Sequence, residues 1–593
     1  MSAPRPWWVR KRSLRAAALA AETGLSPLLA QVLINRGIRT AAAARAFLEP
    51  RLTDLCDPLL LPDMKPACDA VLEALRSRRR IVVYGDYDAD GMTAVALLVH
   101  FFSDLGNPVS YYIPHRLREG YGVNPAALER LAKQGPALVI TVDCGASDEK
   151  AIRFGLRLGL DFVVTDHHQT AQDISLPWPV VNPHRSRSHD EWRGLSGVGV
   201  AFCLAVALRA RLRNQGWFGR VAEPDLRRYL DLVAVGTIAD RSPVDRQNRL
   251  LVKRGLEAMG ETRWVGLRTL MEVAGVSTAE PSAVDVGYRL APRLNAAGRL
   301  GSAEPGVRAL LARSPEIAFR LAKDLDRANR RRQDLERQVL EEAESLLHRS
   351  AALREQRALV VEGRGWHRGV LGIVASRLVE RYHRPAFVLS TTDGLTVGSG
   401  RSVDGFHMVR NLGKVSHLLE KFGGHSHAAG FTLASAGVQE FSDSLSRLAE
   451  DCLGEEPASP PLVVDAAIPL GHWELESVRN LQSMAPFGEK NPEPLFCSRE
   501  VRVVASRVVG EGHLKISLQA GGLFDGIGFH MGALHPLEGE LVDLVYTPDI
   551  NSWGGRERVQ LRIADIRAAG DGEELIFFED PRGQFDILGA EHE

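Results

Sequence analysis

The stretch Tyr84-Gly-Asp-Tyr-Asp-Ala-Asp-Gly91 follows the β-branched run Ile81-Val82-Val83. That run reads as a buried strand. Asp86, Asp88 and Asp90 stand at every second position, and in an extended segment such positions share one face. Three like charges held that close repel, and a cation between them is the natural remedy. Carboxylate oxygens suit hard divalent ions, Mg²⁺ or Mn²⁺. Gly91 frees the backbone to turn, and Met92 to Phe102 reads as a helix. A calcium loop of the helix–loop–helix type opens with the same spacing, but it needs a bidentate Glu at its twelfth position and a helix before it. Here Leu97 occupies that position and a strand precedes it. The bland alternative is a solvated acidic turn.

The surrounding chain decides between these readings. Downstream come the strand Pro108 to Ile113, the polar loop Pro114 to Gly122, and the helix Pro125 to Gln134. The strand Ala137 to Val142 ends at Asp143-Cys-Gly145, and Phe162 to Thr165 ends at Asp166-His167-His168. Val180-Val181 is a further short strand. Strands and helices alternating at this length predict an α/β fold with a parallel sheet and right-handed crossovers. Ligands of such sheets bind at the carboxyl ends of the strands, where all these acidic and His-bearing turns fall.

Leu195-Ser-Gly-Val-Gly-Val-Ala-Phe202 has glycines like those of a nucleotide loop but no strand before it, so it reads as a packed helix start. Gly236-Thr-Ile-Ala-Asp240 closes a helical run with another carboxylate, and Arg293 to Leu300 reads as a polar loop with two arginines. Ser314-Pro315-Glu316 is a helix start, and apolar residues recur at helical spacing from Leu321 to Leu347. One long helix joining two lobes is expected. A second α/β segment runs from Ala358 to about Leu453, with Gly398-Ser-Gly-Arg-Ser402 and Gly423 to Gly430. Beyond a Glu/Pro/Ser linker at 455–461, short β-rich runs from Val501 to Ile566 predict a small barrel.

At 593 residues the chain has room for three to five domains. The expected boundaries are a helical extension at 1–68, a first α/β domain at 69–303, the long helix at 304–355, a second α/β domain at 356–456, the barrel at 457–568 and an acidic tail at 569–593. Net charge is −1, so a nucleic-acid partner would need a local basic groove. The six cysteines are scattered without a CxxC pair, which argues against zinc and disulfides and predicts a cytoplasmic protein. No run of about 18 apolar residues predicts a membrane span. Arg10 to Arg15 before Ala16–Ala21 imitates a signal peptide, but Glu22 cuts the apolar run short.

Asp88, Asp90, Asp143, His167 and Asp240 form the expected catalytic metal set, with Asp86 beside them. So many carboxylates exceed the needs of one ion. Two ions, about 3.5–4 Å apart, would clamp attacking and leaving oxygens and activate water for in-line attack on phosphorus. An imidazole among the ligands favours Mn²⁺ over Mg²⁺. His168 is expected to contact substrate phosphate or orient the nucleophile. Arg116, Arg299 and Arg401, with Ser399, suit phosphate oxygens through guanidinium forks and a hydroxyl.

In their order, Gly85 to Gly91, Thr141 to Gly145, Asp166-His167-His168, Gly236 to Asp240, Arg293 to Arg299 and Gly423 to Gly430 resemble the DHH phosphoesterase family, close to its RecJ-type exonucleases. The likeness spans about 80 to 566. It implies a DHH core, a DHH-associated domain and a C-terminal OB-fold, and metal-dependent hydrolysis of single-stranded DNA from the 5′ end in repair and recombination. It implies metal ligation by Asp88, Asp90, Asp143, His167 and Asp240, with Asp86 nearby. It also implies a 5′-phosphate pocket around Arg116, Arg299, Ser399 and Arg401, and a substrate groove lined by His425. A single-strand-binding protein and a helicase are the protein partners it suggests. Hydrolysis of short oligonucleotides or cyclic dinucleotides, and a non-catalytic replication scaffold, are the competing readings.

Overall fold

The β-branched runs pair as expected. In a computed structural model, which describes residues 5–169, 176–185, 190–219, 221–454, 460–553, 555–570 and 575–578, five strands form one wholly parallel sheet. Its order is Ser110–Tyr112, Arg80–Gly85, Ala137–Val142, Leu160–Thr165, Val180–Val181. Helices cover both faces, and Val83, Val95, Leu98, Phe101, Ile140 and Val163 lie in its main core. The register aligns Gly85 with Val142, Val142 with Thr165, and Thr165 with Val181. Asp86, Asp143, Asp166 and Asn182 are therefore the next residues of four neighbouring strands, spaced by roughly the 4.8 Å of a sheet.

The chain divides into two compact units, one of residues 51–455 and one of residues 1–50 with 456–593. In the first, the long helix is Pro315–Arg349, capped by Ser314, whose hydroxyl accepts from the Ile317 amide. Its early face (Leu321, Ala322, Leu325) is buried in the core of the parallel sheet. Its late face (Val339, Ala343, Leu347) is buried in the next lobe. That lobe is a mixed sheet in the order Lys421–Gly424, Ala428–Ala434, Leu395–Arg401, Ala386–Thr392, Leu359–Arg364.

The second unit holds the barrel. Strands Phe496–Val509, His513–Gln519, Leu523–Gly528, Arg556–Ala568 and Leu541–Trp553 pair in sequence, and the last returns to the first. The expected extension at 1–68 is divided by the fold. The helices Leu14–Thr23, Pro27–Asn35 and Ala41–Leu48 bury Leu19, Leu29 and Leu33 against the barrel residues Phe496, Leu514 and Ile516. The helix Met64–Arg76 instead packs on the parallel-sheet core. Residues 1–50 also begin with a strand, Trp7–Arg10, that pairs in parallel with Leu462–Val464 and Ile576–Phe578. So the segment expected only as an acidic tail contributes an edge strand, in which Phe577 and Phe578 are apolar residues. Residues 571–574, 579–593 and 455–459 of the expected tail and linker lie outside the described residues.

Candidate active site

The three carboxylates of the opening motif do converge, but by a different route from strand alternation. The strand stops at Gly85, and the helix Ala89–Asp104 starts with Asp88 as its cap. Asp86 sits at the strand end and Asp90 in the first helical turn. Asp88 Oδ1 accepts from the amides of Asp90 and Gly91 at 2.9 and 3.1 Å. A Cβ on Gly91 would lie 2.6 Å from the Asp86 carbonyl, so glycine allows this tight return.

Asp143 continues the adjacent strand. Its amide still donates to Thr165 O at 3.0 Å, and its φ then turns to 61°. That left-handed conformation is tolerated by Asp better than by most residues. Gly197 faces the turned side chain, where a Cβ would meet Asp143 Oδ1 at 2.5 Å. The glycine-bearing segment before helix Gly197–Asn214 is a helix start, as expected, but it also holds an anion. The amides of Gly197 and Val198 donate to the two oxygens of Asp90 at 2.7 and 2.9 Å. Asp240 caps the C-terminus of helix Leu230–Ala239, at the close of the helical run where it was expected. The Ser242 hydroxyl donates to it.

Donor atoms from these elements gather in three overlapping sets, each within 4.8 Å: Asp86, Asp88 and Asp143; Asp90, His167 and Asp240; Asp143, His167 and His168. His167 Nε2 lies 3.1 Å from Asp143 Oδ1 without hydrogen-bond geometry. Asp86 Oδ1, Asp143 Oδ1 and His167 Nε2 are all buried with no hydrogen-bond partner among the described residues. Such atoms are costly to leave bare. Burial, then neighbouring carboxylates, pushes Asp86, Asp90 and Asp143 well above the usual carboxylate range. Burial pushes His167 down, which keeps a nitrogen lone pair for a ligand. The donor set therefore fits divalent cations, and the sharing of Asp143 and His167 between sets fits two adjacent ions.

Asp166, in the same row, behaves in the opposite way. Burial opposes its charge, but hydrogen bonding outweighs burial and lowers its pKa. Its Oδ1 accepts from the His167 and His168 amides and lies 2.8 Å from His168 Nδ1, while Oδ2 accepts from Ala146 N. Burial alone would lower His168, but the bond to Asp166 and the nearby carboxylates raise it to about 9. The bond to Asp166 favours the protonated imidazole of His168, whose Nδ1 is also 2.9 Å from the Tyr121 hydroxyl. A phosphate donor suits it better than metal ligation. Tyr121 carried no signal in sequence; Asp166 was visible as part of its triplet but not as an orienting group.

The expected phosphate-binding side chains also converge. Arg299 lies in the helix Ala291–Leu300, not in a loop, because Pro292 enters at a helix start. Burial, then the guanidinium groups of Arg116 and Arg401, push it down to about 9. Arg401 ends the strand Leu395–Arg401; burial and then Arg116 lower it as well. It donates to Ser399 Oγ at 3.2 Å and to Gly400 O at 2.9 Å. Arg116 lies 4.9 Å from the centre of the Tyr87 ring. Gly372, in the first turn of helix Leu371–Tyr382, leaves room beside them; a Cβ there would lie 2.8 Å from an Arg401 nitrogen. His425, in the turn between strands Lys421–Gly424 and Ala428–Ala434, is lowered by burial and then by Arg401. In the barrel, Phe524 packs against the core and Phe529 is half exposed, while the Trp553 side chain lies outside the described residues.

Three family descriptions match the chain: the DHH family N-terminal domain over 80–237, the DHHA1 domain over 355–453 and the RecJ OB domain over 464–565. The single-stranded-DNA-specific exonuclease RecJ of Dickeya dadantii is 37% identical over 562 residues, which is 91% of this chain and 96% of that one. The protein of the same description from Escherichia coli is 36% identical over 559 residues, with the same coverage. The crystal structure of RecJ in complex with Mn²⁺ from Thermus thermophilus superposes with a TM-score of 0.82 at 33% identity, covering 96% of this chain and 80% of that one. A Mg²⁺ complex of the same source superposes at 0.77.

Proposed function

The chain belongs to the RecJ family of single-stranded-DNA-specific exonucleases, and from that premise we propose how its own residues carry out the reaction. It is a metal-dependent exonuclease on single-stranded DNA that uses Mn²⁺ or Mg²⁺. In our reading Asp86, Asp88 and Asp143 would hold one ion and Asp90, His167 and Asp240 the other. Ions held there would supply positive charge at the attacking and leaving oxygens and an activated water for in-line attack. The amides of Gly197 and Val198 fix the Asp90 oxygens. Asp166 holds His168 as an imidazolium, which donates to a phosphate oxygen.

Strand polarity is read by Arg116, Arg299, Ser399 and Arg401, with His425 along the groove. A terminal phosphate carries about one more charge than an internal one near neutral pH. Burial, and then the charge of Arg116, lower Arg299 and Arg401, and a dianion between these guanidiniums would relieve their repulsion. This supports entry from the 5′ end and a role in repair and recombination.

The observation that carries the reading is the trio of buried ligand atoms with no partner among the described residues, Asp86 Oδ1, Asp143 Oδ1 and His167 Nε2. A replication scaffold has no use for them. A barrel matching the RecJ OB domain argues against a hydrolase of dinucleotides, because such folds bind extended strands. The test is Mn²⁺-dependent release of nucleotides from 5′-phosphorylated single strands, duplexes and dinucleotides. Preference for the single strand, abolished by chelation, is expected; preference for dinucleotides would overturn it. No single helix among the described residues is long and apolar enough to cross a membrane. A cytoplasmic site of action, and association with a single-strand-binding protein and a helicase, are part of the proposal and are checked by fractionation and by co-purification.

A further inference from the structure

The helix Ala291–Leu300 carries a side chain that the catalytic reading leaves unused, Asn295. Its Oδ1 accepts from the Ala89 amide at 2.8 Å. Ala89 is the first residue of the helix that follows the metal-binding turn, so its amide has no acceptor within that helix. The next two amides, of Asp90 and Gly91, go to Asp88 Oδ1. The start of this helix is thus held by its own cap and by a residue 206 positions away.

The helix that bears Asn295 is itself fixed on several sides. Leu294 and Ala297 are buried in the main core, and the Arg293 guanidinium pairs with buried Asp326 of the long helix at 2.9 Å. Gly298 packs on the metal-binding turn, where a Cβ would lie 2.7 Å from Tyr87 O. From the second lobe, Gly369 comes so near that a Cβ on it would lie 2.0 Å from Arg299 O. Three residues further on, Gly372 faces Arg401 and Ser399. One short helix therefore touches the turn at Asn295 and Gly298 and carries Arg299 into the phosphate pocket. Asn295 and Arg299 are four residues apart on one face, about 6 Å along the axis.

We propose that Asn295 is a positioning residue: its grip on the Ala89 amide sets the metal-binding turn against the end-phosphate pocket, so that a strand seated by its 5′-phosphate presents its first phosphodiester to the carboxylate cluster. The inference rests on the reading of Arg116, Arg299, Ser399 and Arg401 as a pocket for that phosphate. Asn295 acts through Ala89 and the turn, not through the substrate. What the position requires is an acceptor oxygen for a backbone amide, which a carboxylate of the same shape also supplies.

The test uses the full-length protein with Asn295→Ala and Asn295→Asp, on 5′-phosphorylated and 5′-hydroxyl single strands with Mn²⁺ saturating. A misplacement of 1 Å can cost about a hundredfold in rate. Asn295→Ala is expected to lower kcat on the phosphorylated strand by about that factor with KM unchanged. On the hydroxyl strand it is expected to lower kcat only a few-fold, because the pocket does not seat that strand. Asn295→Asp is expected to restore kcat. A second readout needs no turnover. With a non-hydrolysable first linkage, relaxation of the 5′-phosphorus by bound Mn²⁺ in NMR reports the separation of ion and terminal phosphate. That separation is expected to change in Asn295→Ala and to return in Asn295→Asp. Equal losses of kcat on both strands would make Asn295 a support of the turn alone and overturn the proposal. A raised KM with kcat intact would make it a strand contact and overturn it as well, as would wild-type kinetics in Asn295→Ala. If Asn295→Asp stays as slow as Asn295→Ala, the acceptor is not what matters and the proposal falls. A wild type that does not distinguish the two ends removes the pocket itself, and the proposal with it.

Discussion

Arg401→Ala tests the end-sensing pocket. Arg401 stands at the end of its strand with a nitrogen directed at the first turn of helix Leu371–Tyr382, where only Gly372 leaves space. A phosphate placed there would meet Arg401, the Ser399 hydroxyl and the helix amides together. Hydrogen bonds to charged groups contribute roughly 1.5–3 kcal/mol each. At 1.4 kcal/mol per decade, one lost contact to a terminal phosphate lowers kcat/KM by about ten- to a hundredfold. The same strand with a 5′-hydroxyl has no dianion to lose and is expected to change only a few-fold. Folding is not expected to suffer, because Arg401 adds to the repulsion felt by Arg299. The assay compares kcat/KM for the two kinds of end at fixed salt, with Mn²⁺ saturating. Equal losses on both ends would refute the reasoning and make Arg401 a general backbone contact.

Asp143→Asn is expected to lower Mn²⁺-dependent turnover by more than the 10–100-fold typical of outer-shell changes; Asn keeps the left-handed φ of 61°, which Ala would strain. The same variant should melt at or above the wild-type temperature without metal, because it removes one of several repelling carboxylates; near-normal turnover would sink the two-ion site. His100, buried and stacked on Trp264, is lowered to about 4 by burial. Its folded pKa lies below the unfolded 6.5, so the stability it confers is present above pH 6.5 and is lost as pH falls toward 4, by about 3 kcal/mol. His100→Phe should flatten that part of the stability–pH curve in urea titrations, and an unchanged curve would exclude His100 as its source. Asp465→Ala strands the buried Arg36 and should destabilise the barrel unit by about 3–5 kcal/mol, read as an earlier urea midpoint; a shift below 1 kcal/mol would mean that water replaces the carboxylate.

Strand–helix alternation from Arg80 onward was legible because buried parallel strands leave continuous apolar runs closed by turn residues. The start of the long helix was legible in Ser314 and its extent in the apolar period, but the expected bounds of 304–355 were too wide and took in the separate helices Glu304–Leu311 and Ala351–Glu355. The packing of residues 1–50 was not. Their Ala/Leu faces announce burial but not a partner, and the bonds that choose it, such as Asn35 to Asp465, join residues 430 apart. Asp240 was legible as the close of a helical run, whereas Arg299 was found by residue type and expected in a loop but lies on a helix, because side-chain chemistry does not reveal which backbone presents it.

The sharper case is the row of Asp86, Asp143 and Asp166. The three follow apolar strands in the same way, and the register sets them side by side. Their sequence environments give no reason to separate them. The fold separates them by what reaches their oxygens. Asp166 receives three backbone amides and an imidazole, so it stays charged and orients His168. Asp86 and Asp143 each keep a buried oxygen that nothing in the described chain satisfies, so their charge waits for a cation. Which carboxylate clamps and which ligates is thus decided by a few amide directions. Those directions depend on the positive φ at Asp143 and on the missing Cβ of Gly197, features that no spacing of acidic residues records.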